Sequence, residues 1–165
     1  MQDLKHQKIL QQRANLYAHK DIIEKSSRQN LLLTFYVNLV KYAVEYKYVK
    51  RVILDKIITP IPLSKMEFQG VCYYDGEVLS VINASALFYG KLNLNESSLV
   101  LLEKEEQSIG LSVGDIIGQE FFDESTELVH FATEHAKNQK VILGVYKKEF
   151  SLINVPALFD AFDLK

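Results

Sequence analysis

Asp75-Gly76, set between two runs rich in β-branched and aromatic residues across positions 71–83, is the feature that most restricts what this chain can fold into. An Asp-Gly pair suits the two positive φ angles of a type I′ turn, whose twist matches that of the strands it joins. It predicts a tight hairpin. Similar short apolar runs separated by polar clusters recur further on. Residues 99–103 and 108–113 read as paired strands about Lys104-Glu105-Glu106-Gln107, with 116–122 continuing them. Residues 141–146 and 150–155 read as another hairpin about Lys147-Lys148-Glu149. Many short strands at this spacing predict a mainly β fold of small barrels or a sandwich.

The intervening segments show other periods. Tyr42, Val44 and Tyr46 alternate with Ala43, Glu45 and Lys47, the pattern of a half-buried strand, and Val49, Val52 and Ile53 then switch to the spacing of a helical turn. Pro60 and Pro62 exclude a central strand there, which leaves an edge or a loop. Residues 127–136 read as helical, and 156–162 as a short closing helix with Pro156 in its first turn. At the other end Ile9, Leu16 and Ile23 lie at heptad spacing with Leu10, Tyr17 and Ile22 beside them, predicting an amphipathic helix that ends in the polar Ser26-Ser27-Arg28-Gln29-Asn30. So narrow a seam needs a partner surface, either the chain's own body or another chain, and self-association through this leader is one expectation. The organisation expected is a leader over 1–28 and a body over 29–165.

Composition narrows the function. With 48% apolar and 24% charged residues in 165, and a net charge of −2, the chain reads as a soluble domain without the charge excess that draws nucleic acid or an anionic membrane. Cys72 is its only cysteine, which excludes an intrachain disulfide and fits a reducing compartment. The first twelve residues lack an apolar signal core, and residues 31–44 are broken by Thr34, Asn38 and Lys41, so a cytoplasmic protein with no membrane insertion is expected. Gly110-Leu111-Ser112-Val113-Gly114 spells G-x-S-x-G, with Asp115, Asp123, His130 and His135 after it. A nucleophile elbow needs a sharp turn at the serine and a long following helix, whereas β-rich sequence runs on here, so a serine hydrolase using Ser112 is a distant alternative. His130 and His135 are five apart, wrong for a metal pair on one helical face, and no metal or cofactor is expected.

The order of these segments resembles the CheW-like family of chemotaxis coupling proteins. That family runs as a YALP-like strand, a V-x-E-V helical turn, a proline-containing link, G-V-x-N-x-R-G and a strand ending V-D-L. The counterparts are Tyr42-Ala43-Val44, Val49-Lys50-Arg51-Val52, Pro60 and Pro62, Gly70-Val71-Cys72-Tyr73-Tyr74-Asp75-Gly76, and Val81-Ile82-Asn83. Ile109-Gly110-Leu111-Ser112-Val113 resembles the family's later G-L-x-V strand. Leu143-Gly144-Val145, Leu152-Ile153-Asn154 and Leu158-Phe159 resemble its closing hairpin and helix, and Ile9 to Ala14 resembles the helical leader of one subset. Asp75 stands where the family usually has arginine, Tyr73 where it often has asparagine, and Asn83 where it often has aspartate.

The resemblance implies two small five-stranded SH3-like β-barrels side by side, with an N-terminal helix and a short C-terminal helix. It implies a non-catalytic adaptor linking the cytoplasmic tip of a chemoreceptor to the regulatory domain of a CheA-type histidine kinase, in flagellar or pilus-linked motility. By motif position one partner surface would include Val49, Val52 and Ile53, with Arg51 as a rim charge. Phe68, Gly70, Val71 and Tyr73 would continue it, and Asp75-Gly76 would form its tip. The inverted charge at Asp75 leaves open a divergent scaffold that has lost standard kinase coupling and binds another partner.

Overall fold

Short β-branched and aromatic runs with two-residue turns produce strands that change sheets twice along the chain. The computed structural model describes residues 30–62, 64–130 and 138–162. Strands β1 (Leu31–Val37) and β2 (Val40–Glu45) form an antiparallel hairpin, and a 3-10 turn at Tyr46–Tyr48 carries the chain out of their sheet. A second sheet follows, made of β3 (Val49–Leu54), β4 (Phe68–Tyr74), β5 (Glu77–Asn83), β6 (Ser98–Lys104) and β7 (Gln107–Val113) in the order β3-β6-β7-β5-β4. Helix α1 (Ala84–Tyr89) leaves the end of β5. The chain then returns to the first sheet as β8 (Ile116–Phe121), β9 (Ile142–Tyr146) and β10 (Phe150–Ile153), giving the order β8-β1-β2-β10-β9, and closes with α2 (Val155–Phe162). The return is pinned beside β1: the Gly114 amide donates to the Tyr36 carbonyl at 2.8 Å and the Tyr36 amide to the Asp115 carbonyl at 3.0 Å.

The two sheets share one plan. Each joins two antiparallel hairpins through a single parallel pair, β2 with β10 in one and β5 with β7 in the other. The chain itself repeats: hairpin, crossing strand, connecting segment, hairpin, helix. In both repeats the crossing strand leaves its own hairpin for the other sheet, so each sheet takes strands from both. The details agree. Gly70 and Gly144 sit at φ 151° and 152°, next to the isolated bridges Thr59–Val71 and Val129–Val145. Asn83 caps α1 by accepting from the Ala86 amide at 3.0 Å, and Asn154 caps α2 by accepting from the Ala157 amide at 3.1 Å.

Three apolar clusters hold this plan together. The largest lies between the sheets and under both helices, with Phe35, Val44, Leu87, Phe88, Leu102, Leu111 and Leu158 all buried. Each such side chain is worth about 1.5–3 kcal/mol relative to exposure. The other two lie on the remaining faces of the sheets: Leu32, Ala43, Tyr146, Phe150 and Leu152 in the first, and Cys72, Leu79, Val81, Leu99 and Leu101 in the second.

Several expectations are corrected. The helical turn is at Tyr46–Tyr48, and Val49, Val52 and Ile53 lie on a strand whose bulge at Lys50 broke the two-residue period and imitated a helical one. β2 is not half-buried, because Tyr42, Ala43 and Val44 are all covered, with Ala43 facing one cluster and its two neighbours another. β8 does not continue the β6–β7 pair but crosses to β1. Residues 127–130 are extended, Val129 pairing with Val145, while 131–137 lie outside the described residues. Helix α1 was not foreseen, although Asn83 before Ala-Ser-Ala-Leu-Phe-Tyr and Gly90 at φ 65° are its start and stop signals. The Asp75-Gly76 hairpin, the closing helix and the two five-stranded sheets agree with expectation. The leader also lies outside the described residues.

Candidate partner-binding surface

Strands β3 and β4 are the outer strands of the second sheet, yet both line one groove of about 760 Å³, so the sheet curls towards itself without closing its hydrogen-bond ladder. Alternation on β4 sets the lining. Cys72 and Tyr74 point to the inner cluster, while Val71 and Tyr73 point away. Arg51 on β3 spans the gap: its Nη1 donates to the Tyr74 hydroxyl at 3.1 Å, with the guanidinium 5.9 Å from that ring's centre. Burial raises the pKa of the Cys72 thiol in the floor of the groove. Leu54, Ile57 and Tyr73 stand exposed around it, Tyr73 by 76%, and Val78 opposite Tyr73 across the ladder is exposed by 67%. Among the described residues this exposed aromatic, paired with an exposed valine beside an apolar cleft, is left uncovered.

The foreseen residues divide. Arg51, Val52, Ile53 and Tyr73 line this groove together. Val49 is buried in the core between the sheets, and Val52 packs against that core from its edge. Phe68 is turned to α2, where its ring meets Phe162 edge-on at 5.1 Å. Gly70 lies under the connecting segment: a Cβ there would stand 2.1 Å from the Thr59 carbonyl oxygen, and Thr59 exchanges two 2.8 Å backbone hydrogen bonds with Val71. Asp75 and Gly76, at φ 51° and 86°, form the exposed tip of the hairpin, as a type I′ turn requires.

Next to the groove lies a polar cluster that sequence reading missed. Glu96 is buried, and its carboxylate accepts from Asn83 Nδ2 at 3.0 Å and from the Ser85 amide at 3.3 Å. Lys56 Nζ donates to the Ser98 carbonyl at 3.0 Å and to Ser112 Oγ, and the Ser112 hydroxyl hydrogen-bonds to Glu96. Burial pushes the Glu96 carboxyl up to about 7, against the pull of Ser112, Lys56 and the Ser85 amide. Burial lowers the Lys56 ammonium, and Glu96 partly restores it. Lys56 also lines the groove, so this cluster anchors the segment that forms one wall of it. Only long-range contact unites these residues; no spacing in the sequence announces them.

The same geometry disposes of the esterase motif. Ser112 is fully buried near the end of β7, paired with Leu99 on one side and Asn83 on the other, with no elbow and with strand β8 rather than a helix following it. Among the described residues no three histidines, cysteines or carboxylates gather as a metal site, and no helix is long and apolar enough to cross a membrane.

The model of the CheW-like domain matches residues 31–163. The chain belongs to the CheW-like domain family. It is therefore a scaffold-type, non-catalytic protein of chemotaxis signalling. Among solved structures, the scaffolding protein TtCheW from Thermoanaerobacter tengcongensis superposes with a TM-score of 0.65 at 21% identity, over 76% of this chain and 89% of that one. At that identity the likeness speaks for the CheW-like fold alone. No curated protein matches the sequence.

Proposed function

We propose that this protein is an adaptor that couples chemoreceptors to a CheA-type histidine kinase, and that the β3–β4 face of the second sheet is where it meets the kinase's regulatory domain. We read each curled sheet as a small SH3-like barrel. The observation that carries the reading is the exposed Tyr73–Val78 pair beside the Arg51-bridged groove. Aromatic residues and arginine are the types that anchor interfaces, and here they rim an apolar cleft on strands held rigid by the β4–β5 ladder. The adaptor acts by geometry: holding receptor and kinase in a fixed arrangement lets receptor state bias kinase activity without bond chemistry in this chain.

The test is reconstitution with the kinase and receptor of the source organism. Kinase should co-sediment with receptor-bearing membranes only when this protein is added, and its activity should then follow receptor ligand. Asp75→Arg should change the strength of kinase binding, since that charge stands exposed at the hairpin tip. Failure to recruit kinase by either form, with receptor binding retained, would favour the divergent scaffold.

A further inference from the structure

Among the described residues, the gap between β3 and β4 leaves backbone as well as side chains without partners. Val71 exchanges its amide and carbonyl bonds with Thr59, at 2.8 Å each, and alternation along the strand turns the amide and carbonyl of Tyr73 to the same outer edge. The register of the Thr59–Val71 bridge would place Ile57 opposite Tyr73, yet no bridge forms there, and Ile57 is 85% exposed. Lys56 accounts for the break. Its ammonium is tied to the Ser98 carbonyl at the start of β6 and to Ser112 Oγ near the end of β7, which keeps residues 55–58 outside the ladder.

We infer that this slot takes an extended segment of the partner as an added strand on β4, carrying a carboxylate two residues from an apolar side chain. The inference rests on the docking reading above and names what the kinase's regulatory domain would present there. Backbone, floor and charge each favour that occupant. A residue bridged to Tyr73 would resume the ladder where it stops, which is how a sheet edge recruits a peptide. Its two neighbours then turn inward, one facing Cys72 and the other Tyr74. The first enters the apolar floor made by Cys72, Ile53 and Leu99, in a groove of about 760 Å³. The second meets the Arg51 guanidinium, which lies over the Tyr74 ring.

Arg51 is short of a counter-ion. Among the described residues no carboxylate pairs with it, and its one hydrogen bond goes to the neutral Tyr74 hydroxyl. Lys50 beside it is satisfied by Glu103 at 3.2 Å, with Glu77 and Asp75 acting on the same ammonium. Asp55 also lines the groove, but four residues further along the chain and next to Lys56. A guanidinium with free N–H groups at the mouth of an apolar cleft is matched by a carboxylate, which it can hold through two parallel hydrogen bonds.

Amide exchange tests this in the isotope-labelled full-length protein, titrated with the unlabelled regulatory domain of the kinase. The free protein should exchange the Tyr73 amide fast and the Val71 amide slowly. In the complex the Tyr73 amide should slow at least roughly tenfold while Val71 changes little. Arg51→Gln should weaken binding about tenfold and flatten its salt dependence. Tyr74→Phe, which removes only the hydroxyl that Arg51 now engages, should bind at least as well as the wild type. A complex that forms, and weakens with Tyr73→Ala, while the Tyr73 amide still exchanges freely would overturn the inference and leave the docking reading standing. So would an unchanged salt dependence in Arg51→Gln. Absence of binding would remove the docking reading itself, and this inference with it.

Discussion

Gly70→Ala should be among the most damaging conservative changes in this protein. At φ 151° an L-residue is strained, and a Cβ would stand 2.1 Å from the Thr59 carbonyl oxygen and 2.9 Å from Pro60 Cα, both backbone atoms that cannot rotate away. The φ strain costs about 1–3 kcal/mol. Displacing Thr59 breaks its two 2.8 Å hydrogen bonds with Val71, at about 1 kcal/mol each. The sum is about 3–5 kcal/mol, a large share of the about 5–15 kcal/mol typical of a domain. Urea denaturation followed by circular dichroism reads this directly as a lower midpoint at unchanged slope. Gly76→Ala is the control: its φ of 86° carries the same kind of strain, but nothing lies within 4 Å of the added carbon. It should cost only the conformational part. Equal losses for the two variants would refute the claim that Gly70 exists to admit the connecting segment.

Glu96 should give the protein a pH-dependent stability. Its carboxyl is raised from 4.5 to about 7, so its contribution is full below pH 4.5 and is lost as pH rises to about 7, amounting to about 3 kcal/mol. Glu96→Gln should remove that slope from a series of urea midpoints, and an unchanged slope would contradict the assignment. Ser112→Ala takes away the hydroxyl between Lys56 and Glu96 and should cost about 1–3 kcal/mol in the same assay. It should leave kinase affinity intact, and a loss of affinity without a loss of stability would mean that Ser112 acts in function.

The parts of the fold that were legible in the sequence are those fixed by neighbours in the chain. Asp75-Gly76 dictates its own turn, Pro156 suits the first turn of α2, and the runs around Lys147-Lys148-Glu149 can only pair with each other. What was not legible depends on distant partners. Nothing local says that β3 leaves β2 for β6, or that β8 leaves β7 for β1, and both exchanges are settled by burial of the core between the sheets. The same holds for the candidate site. Tyr73 and Arg51 could be singled out from their motif positions, but Phe68 proves to serve α2, and Lys56 and Glu96 meet only because the second sheet curls. Val52 and Val49 looked equivalent in the sequence, and the bulge at Lys50 separates them into edge and core.

The central claim is that the β3–β4 face holds the kinase. Calorimetric titration of the kinase's regulatory domain into the wild type, Tyr73→Ala and Leu39→Ala tests it most directly. Tyr73 rims the groove, whereas Leu39, 97% exposed, lies at the tip of the β1–β2 hairpin in the other sheet. Loss of a buried aromatic anchor costs about 2 kcal/mol or more. The account expects binding by the wild type, at least a roughly tenfold loss with Tyr73→Ala, and no change with Leu39→Ala. Equal binding by all three, or a loss confined to Leu39→Ala, would contradict it.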